Sequence, residues 1–513
     1  MSAPPPEPEL PYPRLLGAAA GVLSALTALA AAELAAAFVR PEASPVVAVG
    51  GNVVDLTPTW LREFAVTRFG THDKAVLIGG VLTALVLLAL ATGAVAVRHR
   101  AVGLAGVVAL GLVGALAAAT RPDAERLDAV PSVVGAVAGA MALVRLLRPL
   151  DRPPGAPTDE RRRQLLVTAL GVAAGSLVAG SVGRWVTSHR TSVTASRAAV
   201  RLPTAADPGT AVPGSELGIR GLSPFLTPND DFYRIDTALV VPQVPAEGWQ
   251  LRVHGMVDRE IVLTFDQLLQ RELVERDITL TCVSNEVGGY LAGNARWLGV
   301  RLADLLTEAG VHPDADMVLS RSKDGMSIGT PTAVVMDGRD ALLAVGMNGE
   351  PLPAEHGFPV RMVVPGLYGY VSATKWLVDL ELTRFDRESP YWVARGWVPK
   401  APVLTMSRID TPSPFAKLRA GRVAVAGVAW AQHRGIDKVE VRVDGGPWST
   451  ARLAAVPSTD TWRQWVWQWD AAPGAHVLEV RATDSTGAVQ PGRRTAPFPR
   501  GATGWSSTQV AVG

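Results

Sequence analysis

Long stretches without a charged side chain constrain this chain more than any other feature. No Asp, Glu, Lys or Arg occurs in three of them, residues 75–97, 101–120 and 164–183. Each is about as long as the ~20 residues that a helix needs to cross a bilayer. Residues 15–39, with one acid at Glu33, and the shorter stretch 129–144 accompany them. The pattern predicts a multi-span α-helical membrane domain over residues 1–186, with about five transmembrane helices in the lipid bilayer of the cell membrane.

The connections between these stretches predict the orientation. Six arginines lie between residues 145 and 163, and Arg-His-Arg fills residues 98–100, so the positive-inside rule places both connections in the cytoplasm. Connections 40–74 and 121–128 mix acids with bases and are predicted to lie outside. Five spans from an inside N-terminus then put the rest of the chain outside the cytoplasm. Arg162-Arg163 also resembles an internal twin-arginine export signal, although arginines before a span also serve as topology determinants.

The remaining composition excludes several classes of protein. A single cysteine among 513 residues cannot form a disulfide within the chain, and neither a CxxC nor an HExxH motif is present, which excludes iron–sulfur clusters and thiolate zinc sites. A net charge of +2, from 49 basic and 47 acidic residues, argues against nucleic-acid binding. No histidine lies in a predicted span, so we expect no bis-histidine haem within the bilayer.

The part of the chain that follows the membrane domain changes in composition. We predict a linker rich in Ser, Thr, Ala and Pro over residues 187–214, and 12 of the 14 tryptophans lie beyond residue 248. Over residues 215–398, short alternating runs mix with helical periodicity at 265–275 and 300–309. This mixture is typical of an α+β domain.

The helical pattern disappears over residues 399–513. Strand patterns occur at residues 422–430, 438–443 and 476–482, with a hairpin turn at Asp444-Gly445-Gly446. Short strands separated by such turns predict a C-terminal β-sandwich.

Cys282 ends an apolar strand pattern, Thr279-Leu280-Thr281, and runs into a loop that contains Gly288-Gly289. A lone cysteine is more often an inert buried side chain than a reactive one. A strand end beside a glycine-rich loop, however, places a side chain at the rim of a pocket. There a thiolate could act as a nucleophile or as the ligand of a soft metal, and the local pattern leaves these alternatives open.

Three long motifs resemble the sulfite oxidase family of molybdopterin-dependent oxidoreductases. They are TPNDDFYRID at residues 227–236, TLTCVSNEVGGYLAGNARWLGVRLADLL at 279–306 and MNGEPLPAEHGFPVRMVVPGLYGYVSATKWL at 347–377. The likeness covers roughly residues 215–500, in the order of the family. It implies an α+β sulfite-oxidase-type molybdopterin domain, then an immunoglobulin-like β-sandwich like the family's dimerisation domain, and a molybdenum-molybdopterin cofactor.

The resemblance also implies roles for individual residues. It makes Cys282 the catalytic thiolate on molybdenum, and a soft anionic sulfur suits a high-valent metal. The residues implied to hold the pterin and its phosphate are Phe232, Tyr233, Arg234, Ser322, His356, Arg361, Ser372, Ala373, Thr374 and Lys375. The fork of an arginine such as Arg361 matches a phosphate dianion, and His356 can donate to it.

Two positions depart from the family pattern. The arginine that follows the ligand cysteine by five residues in sulfite oxidases is Val287 here, preceded by Glu286, and the family's active-site tyrosine corresponds to Trp397. The loss of a cation and the gain of an acid disfavour a small dianion such as sulfite. Arg463 could supply a charge from the sandwich, although an exposed strand arginine is the simpler interpretation.

The charge-free stretches predict a membrane anchor, and the resemblance implies a molybdenum oxidoreductase. Together they lead us to expect an enzyme that acts on an extracytoplasmic small molecule or oxidised sulfur compound. The chain has no haem or flavin motif, so we expect a separate electron-transfer partner, a cytochrome or a quinone-linked protein. The family likeness implies a homodimer through the C-terminal domain. The alternatives are sulfite oxidase proper and a non-enzymatic membrane-tethered scaffold, and retention of Cys282, His356 and Arg361 argues against the scaffold.

Overall fold

The computed structural model describes residues 13–58, 61, 64, 68, 73–150, 158–190 and 192–513. These residues form two compact units. Residues 1–192 and 237–241 make up the first, which we call the helical unit. Residues 193–236 and 242–513 make up the second, which we call the β unit.

Long apolar helices dominate the helical unit. Its α-helices are α1 (Pro13–Val39), α2 (Pro45–Leu56), α3 (Asp73–Ala96), α4 (Arg100–Ala119), α5 (Val130–Leu147) and α6 (Thr158–Arg190). Within the described residues, five of them, all except α2, are long and apolar enough to cross a membrane by length and composition. They fall within a few residues of the predicted spans, and the shortest, α5, extends through Leu147 to reach 18 residues.

The short helix α2 is absent from the sequence prediction, which has only a connection over residues 40–74. Its 12 residues are too few to cross a bilayer, and the sequence Gly50-Gly51-Asn52 interrupts its apolar run. Much of the rest of that connection lies outside the described residues, as do the side chains of Arg161 and Arg162 and all of Arg152.

Small residues bring the helices of this unit into close contact. A β-carbon on Gly21 would lie 2.0 Å from the Ala89 carbonyl oxygen, and one on Gly93 would lie 2.1 Å from the Gly17 carbonyl oxygen. Helices α1 and α3 therefore approach at a distance that only glycine permits, as small-residue interfaces in membranes commonly do.

Ion pairs join the C-terminal end of α1 to the α4–α5 connection. Arg40 Nε donates to Asp128 Oδ1 at 2.9 Å, and Arg40 Nη2 donates to the Asp123 carbonyl oxygen at 2.7 Å. Asp128 is buried, and Arg121 pairs with Asp123 at 2.9 Å. The end of α1 and the 121–128 connection thus lie at the same end of the helical unit, as the alternating spans predict.

The first half of the β unit contains two five-stranded sheets. Its strands are β1 (Gln250–Gly255), β2 (Ile261–Thr264), β3 (Leu273–Thr281), β4 (Ala292–Arg301), β5 (Met317–Ser322), β6 (Ser327–Pro331), β7 (Leu342–Met347), β8 (Glu350–Pro351), β9 (Arg361–Val363) and β10 (Leu377–Thr383). One sheet has the order β2-β1-β10-β5-β6, and the other runs β3-β4-β7-β8 with β9 paired to β7. Strands β3, β4 and β7 are largely buried, so the second sheet forms the core beneath the candidate site.

One short helix, α7 (Thr194–Ala199), precedes the strands. Three others connect them: α8 (Phe265–Leu269), α9 (Leu302–Ala309) and α10 (Thr332–Val335). The helix predicted at 300–309 is α9, but the one predicted over 265–275 ends at Leu269, and residues 273–275 already belong to β3. A capping box between Thr264 and Gln267 starts α8, whereas pairing of β3 with β4 overrides the helical periodicity after Arg271.

The second half of the β unit consists of two further sheets. Its strands are β11 (Met406–Thr411), β12 (Lys417–Leu418), β13 (Gly421–Trp430), β14 (Ile436–Val443), β15 (Ser449–Thr450), β16 (Arg452–Leu453), β17 (Arg463–Ala471), β18 (Gly474–Asp484) and β19 (Ser506–Val512). Their orders are β11-β13-β17-β16 and β12-β19-β18-β14-β15. Buried side chains of both sheets, among them Val425, Trp465, Val441 and Leu478, share one hydrophobic core. The turn after β14 has positive φ at Asp444 (51°) and Gly445 (70°), as a tight hairpin turn requires.

The second half of the β unit holds the strand that leads to Cys282. Gln432 Nε2 donates to the Thr279 carbonyl oxygen at 3.0 Å and to Thr281 Oγ1 at 2.8 Å. The Trp462 amide donates to Thr279 Oγ1 at 2.7 Å. These buried hydrogen bonds hold the C-terminal end of β3 against the second half of the β unit.

Candidate active site

Cys282 follows the last residue of β3 and is 9% exposed. Its amide donates to the Leu291 carbonyl oxygen at 2.9 Å, and its own carbonyl oxygen accepts from the Asn285 amide at 3.1 Å. The Asn285 side chain then accepts from the Leu291 amide at 2.8 Å. The loop after the cysteine is therefore closed on itself by backbone and amide hydrogen bonds, which fix the backbone at Cys282.

The thiol lies in a low-dielectric environment. Burial raises the pKa of Cys282, and hydrogen bonds from Ser284 oppose this only in part. Burial raises the pKa of Tyr368 to about 12, and it raises the pKa of Tyr233 even more. The negative charge of a Cys282 thiolate would raise the pKa of both tyrosines further. Without a cation at the sulfur, the cysteine stays protonated at neutral pH.

The 227–236 motif packs against the same place. Phe232 stacks on Tyr233 with ring centres 5.3 Å apart and meets the rings of Trp297 at 5.9 Å and His356 at 5.6 Å edge-on. A β-carbon on Gly369 would lie 3.7 Å from Tyr233 Oη and 3.8 Å from the Thr281 carbonyl oxygen. The structure therefore brings together the ends of all three motifs, which are far apart in the sequence.

His356 and Arg361 are both buried, at 3% and 5% exposure. His356 Nε2 lies 3.0 Å from the Asn229 carbonyl oxygen, and Arg361 Nη1 donates to the His356 carbonyl oxygen at 3.0 Å. Since a carbonyl oxygen only accepts, Nε2 carries the proton of a neutral imidazole. The guanidinium of Arg361 lies over the Trp297 ring at 5.0 Å.

Arg361 is a buried cation that lacks an acid. Its Nε has no hydrogen-bond partner, and across residues 192–513, which are all described, no carboxylate pairs with it. Burial lowers the pKa of Arg361 to about 10, yet the guanidinium remains charged at neutral pH. Since an unpaired buried charge costs several kcal/mol, roughly, this position is suited to receive an anion.

Burial lowers the pKa of His356 to about 4, and the charge of Arg361 adds to the shift. The folded protein therefore binds this proton less readily than a free histidine, whose pKa is about 6.5. Neutral His356 therefore makes the free energy of unfolding of the cofactor-free protein depend on pH. Up to about 3 kcal/mol of this free energy is present above pH 6.5 and is lost as the pH falls toward 4, because the unfolded chain takes up the proton first.

We expect hydrogen exchange at the His356 ring carbon, followed by mass spectrometry across a pH series, to give a midpoint near pH 4 for this residue. A bound phosphate dianion should move the midpoint upward, because it stabilises the imidazolium. A midpoint at or above 6.5 in cofactor-free protein would show that the ring is not held neutral by burial.

Lys375 and Arg234 share one buried carboxylate. Lys375 Nζ donates to Asp236 Oδ2 at 2.7 Å and to the Glu355 carbonyl oxygen at 3.1 Å, and Arg234 Nε donates to the same Asp236 oxygen at 3.1 Å. Burial lowers the pKa of Lys375 to about 8, although Asp236 opposes the shift. Asp236 was missed from the sequence as a site residue, although it ends the first motif two positions after Arg234.

The hydroxyls of the 372–375 loop bond mainly to the protein. Ser372 Oγ donates to the carbonyl oxygens of Leu367 at 3.2 Å and Tyr368 at 3.0 Å. Thr374 Oγ1 lies 2.6 Å from Ser320 Oγ, and the Ala373 amide donates to the Gly369 carbonyl oxygen at 3.0 Å. These contacts shape the loop.

Ser322 is placed at the end of β5. Its side chain is buried and lies near the Asp324 carboxyl group. Burial raises the pKa of Asp324, and a hydrogen bond from Ser322 opposes this shift only in part. The charges of Lys375 and Asp236 also act on Asp324, so Ser322 belongs to the side of the site that carries the lysine.

The departures from the family pattern lie in apolar surroundings. Val287 is 9% exposed, and its carbonyl oxygen accepts from Arg494 Nη2 at 3.4 Å. Trp397 is 6% exposed, and its ring centre lies 5.5 Å from that of Tyr370 and 5.3 Å from that of Phe498. Its Nε1 has no hydrogen-bond partner among the described residues. Position 287 therefore offers an apolar side chain, and position 397 an indole in place of a phenol.

Arg463 does not supply a charge to the site, and it is not an exposed strand residue. Its Nε donates to the Ala454 carbonyl oxygen at 2.7 Å and its Nη1 to the Ile436 carbonyl oxygen at 2.8 Å. Burial lowers its pKa. The side chain is therefore bound to the backbone of its own half of the β unit.

A metal at this site needs ligands besides those of the protein. In the described part of the chain, no three His, Cys, Asp or Glu side chains converge as a metal-binding group, and Cys282 is a free thiol. The site combines one buried thiol with the cations of Arg361, Lys375 and Arg234, an arrangement suited to a metal that arrives on an anionic organic cofactor.

Comparison with known proteins identifies the class. The family model described as oxidoreductase molybdopterin binding domain matches residues 238–392. Chicken (Gallus gallus) sulfite oxidase is 31% identical over 318 residues, which cover 52% of this chain and 68% of the relative. An uncharacterized oxidoreductase of Bacillus subtilis, YuiH, is 34% identical over 149 residues, which cover 29% of this chain and 72% of the relative.

The chain is thus a molybdopterin-binding oxidoreductase by class. More particularly, it belongs to the sulfite oxidase family, and membership of that family implies a molybdenum-molybdopterin cofactor. The match to mouse (Mus musculus) mitochondrial sulfite oxidase, 32% identical over 334 residues, covers 55% of this chain but only 60% of that protein. Among solved structures, the sulfane dehydrogenase SoxCD of Paracoccus pantotrophus aligns with a TM-score of 0.48 and 27% identity over 55% of this chain and 79% of that one.

Proposed function

We propose that this protein is a membrane-anchored enzyme that transfers an oxygen atom to or from a substrate outside the cytoplasm. The observation that carries the proposal is the burial of one thiol, Cys282, and of one guanidinium, Arg361, that has no acidic partner among the described residues. The thiol suits a soft metal, and the guanidinium suits a phosphate. When bound, the cofactor would supply the two-electron redox chemistry that oxygen-atom transfer needs.

The residues of the pocket fit molybdopterin by their chemistry. Cys282 would bind the metal, and coordination would remove the proton that burial otherwise keeps on the sulfur. Arg361 and Lys375 would bind the phosphate, and His356 would receive a proton from solution as the dianion raises its pKa. The remaining residues proposed to hold the pterin are Phe232, Tyr233, Arg234, Ser322, Ser372, Ala373 and Thr374.

We propose an uncharged oxidised sulfur compound, such as a sulfoxide, as the substrate. The valine at position 287 and the indole of Trp397 support this, because neither presents a cation to a small dianion. The balanced reaction takes a sulfoxide, two electrons and two protons to a sulfide and water. The electrons would come from a separate cytochrome or quinone-linked protein, and the C-terminal half, as an immunoglobulin-like sandwich, would form a homodimer.

Sulfite oxidation is the second candidate, because the relatives named above include sulfite oxidases. We expect Val287→Arg to raise kcat/KM for sulfite about tenfold, because the added cation attracts the sulfite dianion. Complementary charge raises association rates by about 10- to 1,000-fold, and we take the lower value. Val287→Met, which has similar length and no charge, should leave it unchanged. Steady-state assays with sulfite and with a dialkyl sulfoxide would test this, and efficient sulfite oxidation by the natural protein, unaltered by the arginine, would overturn the substrate proposal.

The orientation of the β unit has its own test. The arginine-rich connections support an extracytoplasmic β unit. We fuse a reporter enzyme that works only outside the cytoplasm after Gly513, and we expect this fusion to show activity. A reporter that is active only in the cytoplasm would contradict the orientation and leave the cofactor assignment unaffected. Release of the whole chain from membranes by alkaline carbonate would contradict the membrane anchor itself.

A further inference from the structure

The helical unit contains a cavity that a simple anchor does not need. Its volume is about 330 Å³, and helices α1, α2, α3, α4 and α5 all contribute to its wall. The short helix α2, which cannot cross a bilayer, contributes four wall residues, Pro45, Val46, Val49 and Val53. One span would suffice to anchor the β unit, so a cavity lined by five helices points to a ligand.

The wall is apolar apart from three hydroxyls, those of Ser24, Thr92 and Ser132. Ser24 Oγ donates to the Gly139 carbonyl oxygen at 2.7 Å. Ser132 Oγ is buried with no hydrogen-bond partner among the described residues. An unpaired hydroxyl within hydrocarbon costs free energy, and the carbonyl oxygen of a ligand would satisfy it.

The size of the cavity favours a compact ring. A cavity of about 150 Å³ lined by apolar side chains holds one benzene molecule, and this one has about twice that volume. Wall residues on the outer helix surface, Leu88 at 51% and Val113 at 54% exposure, show that the chamber opens toward the lipid. A bicyclic ring can lie inside while an attached chain leaves through the opening.

We propose that this cavity binds a lipid-soluble quinone, with its ring in the chamber and a ring carbonyl oxygen accepting from Ser132. The ring is apolar and its polar atoms are acceptors, so it fits an apolar wall in which the buried Ser132 hydroxyl can donate. The inference rests on the membrane placement proposed above. It also deepens the proposed function, because a quinone is a two-electron carrier of the class that the reaction requires.

The test is a binding measurement without turnover. Full-length protein in phosphatidylcholine nanodiscs is titrated with a naphthoquinone that carries a short isoprenoid tail, and bound quinone is quantified after separation. Ala25→Phe fills the cavity, since Ala25 lines the wall, and should weaken binding at least tenfold. Leu26→Phe is the matched control, because Leu26 is 49% exposed and absent from the wall. Ser132→Ala should weaken binding roughly fivefold, as expected for one hydrogen bond.

Circular dichroism and elution as a single species show whether each variant of the helical unit folds. Molybdenum content, measured in the same samples, reports on the β unit and separates the quinone site from the proposed enzyme function. Saturable binding that Ala25→Phe removes and Leu26→Phe retains supports the proposal, even in protein that proves inactive on every substrate. Equal quinone uptake by the natural protein and Ala25→Phe would overturn it. So would a chamber filled by a phospholipid chain that the quinone does not displace.

Discussion

Replacing Cys282 with serine is expected to lower turnover by more than about 100-fold. Loss of a residue that only hydrogen-bonds to a metal ligand usually costs about 10- to 100-fold, and loss of the ligand itself should cost more. Cys282 is the single cysteine of the chain, and the described residues offer no other convergent metal-binding group. The serine hydroxyl is nearly isosteric, but it is a hard neutral donor where a soft anionic sulfur is needed.

The same variant separates metal binding from folding. Because the Cys282 backbone bonds to Leu291 and Asn285 and serine is nearly isosteric with cysteine, Cys282→Ser should keep the fold. It should also keep the pterin, which Arg361, His356 and Lys375 are proposed to hold. Turnover is measured with a sulfoxide and a reduced dye, and pterin by fluorescence after oxidation. A variant that keeps full turnover would exclude the thiolate role.

Replacing Arg361 with methionine should have effects of opposite sign on cofactor binding and on stability. We expect at least about tenfold less pterin in the purified protein, since a charge-assisted phosphate contact is lost. Cofactor-free Arg361→Met, by contrast, should be more stable than cofactor-free natural protein by about 1–4 kcal/mol, because an apolar side chain replaces a buried cation that has no acid.

Arg408 offers a matched control. It is 4% exposed, like Arg361, but its Nε donates to Asp410 at 2.6 Å. Arg408→Met leaves that carboxylate buried without a cation, bonded only to the Ser223 amide at 3.0 Å among the described residues. The free energy of unfolding should therefore fall by about 3–5 kcal/mol. Both variants are made in a host without molybdopterin synthesis and compared with the natural protein by thermal unfolding. The free energy of unfolding should rise in Arg361→Met and fall in Arg408→Met. If Arg361→Met destabilises the cofactor-free protein as Arg408→Met does, Arg361 is a structural residue and the phosphate role is wrong.

The sequence predicts the parts of this fold that depend on local patterns. Charge-free stretches predict the long apolar helices, because each helix must meet its length and polarity requirement by itself. The alternation of residues 279–281 and the turn residues after Cys282 likewise indicate a strand end. Helix α2 escapes prediction because its 12 residues satisfy neither the length of a span nor a strong periodicity.

The features that depend on distant contacts could not be predicted. The isolation of Arg361 becomes visible only when the fold shows that no acid reaches it, and Asp236 meets Lys375 across 139 positions of sequence. Arg463 is similar, since nothing in WRQW indicates that backbone carbonyl oxygens of the same half will accept its hydrogen bonds. Residues 273–275 follow a helical period but pair with β4, because tertiary pairing outweighs propensity.

The central claim is that the Cys282 sulfur binds the molybdenum, and X-ray absorption at the molybdenum edge tests it most directly. The full-length natural protein, from a host that makes molybdopterin, should contain close to one molybdenum per chain, and Cys282→Ser should show one sulfur neighbour fewer around the metal. A natural protein without molybdenum, or an unchanged sulfur count in the variant, would contradict the account.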